Sequence, residues 1–232
     1  MSIDLRLGDC LEIMRDMPDK SVDAVITDPP YGIDYQSAWR TDKTQWKPKI
    51  ANDKMPFIEW LPEAFRLVKD GGALVCFHRW DVAETFKQEI ERVGFVVKSQ
   101  IIWDKVIHGM GDLNGQYAPR HECAWFATKG KFNWWATRPQ SIIRITRVDA
   151  EKLIHPNEKP IPLFVRLIES IVDPKGKILD PFVGSGASMV AASKLYRDAI
   201  GIEINPQYFE IAQRRIAEAQ AQMTLNFAEA TA

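Results

Sequence analysis

Short apolar runs rich in Val and Ile alternate along the chain with amphipathic stretches of helical length. That alternation marks a parallel sheet covered by helices, so the class is α/β. Strands are expected at 3–7, 24–28, 73–77, 95–104, 122–128, 177–180 and 199–204, and helices at 57–68, 80–93, 161–172, 187–195 and 206–221. Several helices open at Pro or Asp, which suit a first turn, and Gly71-Gly72 and Gly94 stop helices ahead of strands. The runs 95–104 and 122–128 are separated by a Gly-rich stretch without helical period and read as an antiparallel pair. The expectation is one seven-stranded sheet, mixed at one edge, with helices on both faces.

Two segments break the rhythm, 34–55 and 129–156, and both read as long loops inserted in a single domain spanning 1–232. The first carries Trp39, Arg40, Lys43, Trp46, Lys47 and Lys49; the second carries Lys129, Trp134, Trp135, Arg138, Arg144 and Arg147. Interleaved cations and flat rings suit phosphates and unstacked bases, although Trp residues also anchor long loops beside solvated cations.

Composition narrows the field. With 46% apolar residues, the 232-residue chain can build a large core, which excludes disorder, collagen and coiled coil. Thirty Lys plus Arg against 31 Asp plus Glu leave no global positive field, so any nucleic-acid surface is local. Cys10, Cys76 and Cys123 form neither a disulfide framework nor a metal spacing, and no apolar run has signal or membrane length. A cytoplasmic protein without a metal is expected.

Four places carry chemistry. Asp28-Pro29-Pro30-Tyr31 ends the second strand, where two fixed rings turn the backbone rigidly off the sheet and present the Pro29 carbonyl beside the Asp28 carboxylate. Two acceptors suit a planar exocyclic amino group, with Tyr31 free to stack on the attached ring. Asp180-Pro181-Phe182-Val183-Gly184-Ser185-Gly186 is a Gly-rich turn between strand and helix. It lacks the Lys of a phosphate loop and the three-glycine dinucleotide spacing, so a nucleoside carboxylate or amino acid fits better than phosphate. Glu203, at the end of the next strand, stands where an acid of this architecture bonds ribose hydroxyls. Gly8-Asp9-Cys10 reads as a helix cap or a ligand contact, and His155-Pro156-Asn157-Glu158-Lys159-Pro160 as a helix start.

Together these residues resemble the β-class of DNA amino-methyltransferases, enzymes using S-adenosylmethionine, over nearly the whole chain. The resemblance implies a Rossmann-like methyltransferase fold in circularly permuted order, with the acceptor half first, a short target-recognition segment at 129–156, and the cofactor half last. It implies catalytic roles for Asp28, Pro29, Pro30 and Tyr31. Cofactor contacts are implied for Asp9, Cys10, Asp28, Lys159, Asp180, Phe182, Gly184, Ser185, Gly186, Glu203 and Ile204. Arg40, Lys43, Lys47, Lys49, Arg138, Arg144 and Arg147 would meet double-stranded DNA. Trp103-Asp104-Lys105 and Arg120-His121-Glu122 sit where similar residues occur in relatives. Asn157 departs from the usual Ser or Thr. Asp ahead of Pro-Pro-Tyr tilts the implied target toward adenine N6, with cytosine N4 the neighbouring alternative. RNA or protein-glutamine methylation, and a non-catalytic nucleic-acid-binding protein that keeps the fold, are the other readings. A homodimer is implied, while a restriction endonuclease partner is unknown.

Overall fold

The structure, a computed structural model, describes residues 1–32, 55–109, 113–115, 117–148 and 158–230, with side chains through 222. Its strands are β1 (Ile3–Leu7), β2 (Val22–Thr27), β3 (Val68–His78), β4 (Val96–Asp104), β5 (His121–Thr128), β6 (Ile142–Arg144), β7 (Lys177–Asp180) and β8 (Asp198–Glu203). The helices are α1 (Cys10–Arg15), α2 (Leu61–Leu67), α3 (Ala83–Arg92), α4 (Ile161–Ile171), α5 (Ala187–Lys194) and α6 (Pro206–Ala230). The strands form one sheet in the order β1-β8-β7-β2-β3-β5-β4-β6. β5 runs antiparallel to both β3 and β4, and the other pairs are parallel, so the mixed edge is as the spacing predicts.

Period-two alternation divides the core between the two faces of the sheet. Ala24 and Ile26 of β2 pack with Val75 and Phe77 beneath Leu163, Phe164 and Leu167 of α4, Met189 of α5 and Ala212 of α6. Val25 faces the other way, with Leu74 and Cys76, beneath Met14 of α1, Leu61 and Ala64 of α2, and Phe86 and Ile90 of α3. Helix α5 is buried on every side, and its Ala and Ser residues let α4 and α6 close in on it.

Two expectations need correction. The sheet has eight strands instead of seven: β6 lies inside the expected 129–156 loop and pairs with the end of β4 through Ile102↔Ile142 and Asp104↔Arg144. Three residues are too few to show a period, and their pairing is set by the neighbouring strand. β3 also starts at Val68, ahead of the glycine pair that was expected to precede it. The β2 partner shifts register between Val22 and Ala24, and Gly71, at φ +83°, absorbs the irregularity where L side chains are strained.

From β7 the chain crosses by α5 to β8 on one side, and from β2 it crosses by α2 to β3 on the other. The β2/β7 junction is therefore the topological switch point, where a doubly wound sheet opens a crevice at the carboxyl ends of its strands. Gly201 of β8 backs that crevice: a Cβ there would lie 2.6 Å from Val183 Cγ2 and 2.8 Å from Met189 Sδ. Gly201→Ala is expected to destabilise the protein by about 1–3 kcal/mol through overpacking. Urea melts should show a lower midpoint with an unchanged slope.

Candidate active site

The Gly-rich turn between β7 and α5 is held from three directions. Val183 N–H donates to the Ile202 carbonyl at 3.0 Å, and Gly184 N–H donates to Glu203 Oε2 at 2.8 Å. From α6, Arg215 Nη1 donates to both the carbonyl and Oγ of Ser185 at 2.8 Å, while its Nη2 pairs with Glu158 at 2.8 Å. Gly184 and Gly186 have φ of +55° and +91°, and a Cβ on Gly186 would come within 3.0 Å of Ala212. Glycine is required there by both conformation and space.

Asp180 and Glu203 frame this turn differently. Asp180 accepts from Thr27 Oγ1 at 2.6 Å, Phe182 N–H at 3.0 Å and Ser188 Oγ at 2.5 Å, all inside the fold. Burial pushes its carboxyl up to about 6, against those three hydrogen bonds, so its geometry is that of a brace across the β2/β7 junction. Glu203 accepts from Gly184 N–H and from Asn205 N–H, each at 2.8 Å and on a different oxygen. One lone pair on each oxygen remains for vicinal hydroxyls. Burial raises its pKa, countered by those two N–H donors. Ile204, 44% exposed, follows it at the rim. Asp9 caps α1 by accepting from Leu11 N–H at 2.8 Å through one oxygen, leaving the other available. Cys10 is buried in the core beneath the sheet, and burial followed by the Asp9 charge pushes its thiol up to about 12, so it is chemically inert at neutral pH.

Asp28 stands on the other side of the junction. Its carboxylate accepts from the Tyr31 hydroxyl and pairs with Lys159 Nζ. The double proline turns the chain toward α2, where Phe57 N–H donates to the Pro30 carbonyl at 3.1 Å and Tyr31 bridges to Pro56. Phe57 and Trp60 then pack edge-on against Phe182 of the Gly-rich turn, with ring centroids at 5.8 and 5.5 Å. The acceptor and cofactor halves are thus joined by Thr27–Asp180 and by this aromatic contact. The Tyr31 ring lies edge-on to Phe86 at 6.3 Å. Loss of hydration raises the Asp28 pKa despite the opposing charge of Lys159, and it raises that of Tyr31 further.

The chain is similar to known proteins over most of its length. The profile of the N6/N4 family described as DNA methylase matches residues 22–214. The chain belongs to the DNA methylase family. YubD of Escherichia coli (strain K12) is 33% identical to this methylase, over 93% of this chain and 91% of that protein. The Type II methyltransferase M.HpaI of Haemophilus parainfluenzae is 28% identical, over 90% of this chain and 72% of that one. The crystal structure of the M1.HpyAVI–SAM complex superposes with a TM-score of 0.70 at 28% identity, over 92% of this chain and 99% of that one.

The residues expected to meet DNA divide into two groups. Arg40, Lys43, Lys47 and Lys49 lie outside the described residues. Arg138 and Arg147 are exposed, as is Arg144, which also pairs with Asp104 at 3.2 Å. Two other residues of the 129–156 segment serve the fold. Lys129 Nζ donates to the carbonyls of Phe65 and Val68 at the end of α2, and Trp134 stacks on Phe126 at 5.2 Å. Trp135 remains 51% exposed.

Sequence reasoning missed the Arg215–Ser185–Glu158 clamp. The available signal was a cation three residues after Ala212 and four before Ala219, both buried, which places Arg215 on the inward face of α6. Lys159, for which the resemblance implies a cofactor contact, has its Nζ between Asp28 and Glu122.

The raised Asp180 carboxyl has a pH consequence. Its folded pKa of about 6 exceeds the unfolded value near 3.9, so its stabilising share is full below about pH 4 and is lost as pH rises through about 6. Asp180→Asn keeps an acceptor for Thr27 and Phe182 and can donate to Ser188. Melting curves of that variant should lack up to about 3 kcal/mol of the wild-type decline between pH 4 and 6. Asp180→Leu, which strands three donors, is expected to destabilise at every pH.

Proposed function

We propose that this methylase transfers a methyl group from S-adenosylmethionine to the exocyclic N6 of adenine in double-stranded DNA, acting on a base flipped out of the stack. The observation that carries this reading is the placement of Asp28 and its rigid Pro-Pro turn directly across the Thr27–Asp180 hydrogen bond from the Gly-rich turn. An amino-group acceptor site and a nucleoside site there share one crevice. An amino group inside stacked DNA cannot reach such a crevice, and extrusion of the base solves the geometry.

The cofactor half fits the proposed ligand. Glu203 offers acceptors to two ribose hydroxyls, Asp9 offers one to an adenine amino group, and Ile204 supplies an apolar rim. Phe182, Gly184, Ser185 and Gly186 shape a turn with close backbone access for the amino-acid end. When bound, S-adenosylmethionine supplies an electrophilic sulfonium methyl.

On the acceptor side, the Asp28 carboxylate and the Pro29 carbonyl take the two N–H groups of the target amine and align its lone pair. Tyr31 donates to Asp28; base entry would exchange the hydroxyl for the amine and free the ring to face the base. A nitrogen–carbon bond forms as the sulfur–carbon bond breaks, and the nitrogen releases one proton toward Asp28. No covalent enzyme intermediate is involved: Cys10 and Cys76 are buried with pKa values raised by burial, so neither is a nucleophile at neutral pH. Alignment and preorganised acceptors supply the rate. Adenine is favoured over cytosine N4 by the Asp that precedes Pro-Pro-Tyr.

Nucleoside mass spectrometry on methylation-free DNA incubated with protein and S-adenosylmethionine is expected to show N6-methyladenine. N4-methylcytosine would overturn the choice of base, and neither product in the presence of bound cofactor would overturn the DNA reading. The Asp28→Ala variant is expected to bind cofactor and lose methyl transfer; an active variant would remove Asp28 from the acceptor site.

Arg144 and Arg147 border the exposed edge formed by β6. Replacing both with Ala is expected to reduce the slope of log affinity against log salt by about 2, one for each lost phosphate contact. An unchanged slope in a filter-binding titration would place the DNA backbone elsewhere.

A further inference from the structure

Behind Asp28 runs a chain of alternating charges. Lys159, immediately ahead of α4, has a side chain only 4% exposed; its Nζ contacts Asp28 Oδ2 and lies 3.3 Å from Glu122 Oε2. It also sits 4.7 Å above the Phe77 ring. Glu122 Oε1 in turn pairs with Lys105 Nζ at 2.5 Å, and Lys105 N–H donates to the Arg120 carbonyl at 2.9 Å. This carboxylate–ammonium–carboxylate–ammonium series follows no local motif: Asp28 follows β2, Glu122 belongs to β5, Lys105 follows β4 and Lys159 precedes α4. Four parts of the chain separated by up to 131 positions meet at one point.

A buried ammonium is expensive to dehydrate and keeps its charge only beside anions. Lys159 has two, Asp28 and Glu122, and Glu122 has a second cation in Lys105. The other titratable neighbours are Tyr31 beside Asp28, Cys76 on β3 and Asp180 on β7. None of these brings a positive charge to Asp28, so among the described residues Lys159 is its cationic contact.

We propose that Lys159 and Glu122 are positioning residues for methyl transfer: Glu122 fixes Lys159, and Lys159 holds Asp28 ionised and oriented to accept from the target amine. This rests on the reading of Asp28 as the acceptor. A protonated Asp28 would present a donor where the amine also donates, and the lone pair on nitrogen would lose its alignment. Without Lys159, burial and the Glu122 charge favour that protonated form, opposed by the Tyr31 hydrogen bond. Glu122 acts in the opposite sense to Lys159 through its own charge, as well as by anchoring the ammonium. Lys159 therefore belongs to the acceptor half, not to the contacts of the cofactor.

The two residues make opposite predictions for pH. In single-turnover assays on methylation-free DNA, Lys159→Met should lower the rate at neutral pH about 100-fold or more and move the acid limb of the rate profile upward by about one pH unit or more. Lys159→Arg, which restores the charge, should recover part of the rate. Glu122→Gln keeps an oxygen for Lys159 but removes a negative charge from the cluster, so it should move the acid limb downward. A structural role for either residue would lower the rate without moving the limbs apart.

Carboxyl carbon NMR of the ligand-free protein reads the same quantity without turnover. The Asp28 titration should rise in Lys159→Met and fall in Glu122→Gln relative to wild type, and S-adenosylmethionine affinity should be unchanged in both. Immobile titrations, shifts of the same sign, or a loss of cofactor affinity that matches the loss of rate would overturn the proposal. Turnover by Asp28→Asn would instead defeat the acceptor reading, and it would do so whichever way the Asp28 titration moves in the other variants.

Discussion

The junction between β2 and β7 is the constraint on which this molecule depends. These two strands lead away to opposite sides of the sheet, so their carboxyl ends are left facing a crevice that no crossover helix fills. A crevice at the centre of a sheet would weaken the fold unless its walls were tied, and the tie is the buried carboxylate of Asp180. It receives Thr27 from β2, Phe182 from its own turn and Ser188 from α5. The acceptor motif begins one residue after Thr27, and the Gly-rich turn begins one residue after Asp180. The distance between the two chemical halves is thus fixed by the pairing of β2 with β7, by the Thr27–Asp180 hydrogen bond and by the packing of Phe57 and Trp60 on Phe182.

The permuted order of the motifs becomes intelligible in this geometry. A crevice at a switch point is assembled from the ends of strands, and the sheet does not register which end came first in the chain. Asp9, two residues past β1, and Glu203, at the end of β8, are brought together because the two strands pair in parallel, with Gly8 N–H donating to the Glu203 carbonyl at 3.0 Å. Glu122 reaches the same edge by a different route. β5 runs antiparallel to β3, so its beginning lies beside the end of β3, as the His78↔Cys123 pairing records. An antiparallel strand is what allows a residue at the start of one element to face residues at the ends of the others.

How much of this could be read from sequence follows from how locally each feature is determined. Asp28, the 180–186 turn and Glu203 were legible because each combines a strand end with residue types whose conformational or hydrogen-bonding character is local. The antiparallel pair was legible from the absence of a helical period between two apolar runs. β6 was not, because a three-residue strand has no pattern of its own and exists through its pairing with β4. Trp134 and Lys129 belong to a basic, aromatic loop that reads either as a nucleic-acid contact or as loop-anchoring Trp beside solvated cations; Trp134 stacks on Phe126 and Lys129 closes the end of α2. Composition identifies such residues as able to bind, and only packing decides what they bind.

Lys159 shows the same limit at the site itself. The Pro-flanked, charged segment ahead of α4 reads as a helix start, and only the family resemblance implies a cofactor contact for Lys159; its partners come from the ends of β2 and β5, neither of which is near it in sequence. Stability offers little reason for such a residue. A buried ion pair often contributes no more than apolar side chains of the same volume would, although removing one partner is costly. The Phe77 ring beneath Lys159 and the apolar surroundings of β3 would accept a hydrophobic side chain. What an apolar replacement could not supply is a positive charge against Asp28. In a chain whose charges nearly cancel, the alternation from Asp28 through Lys159 and Glu122 to Lys105 is local in the same sense, since it neutralises the cluster as a whole while leaving a carboxylate exposed to the crevice. The fold tolerates the cost of dehydration at the place where the proposed mechanism needs an ionised acceptor.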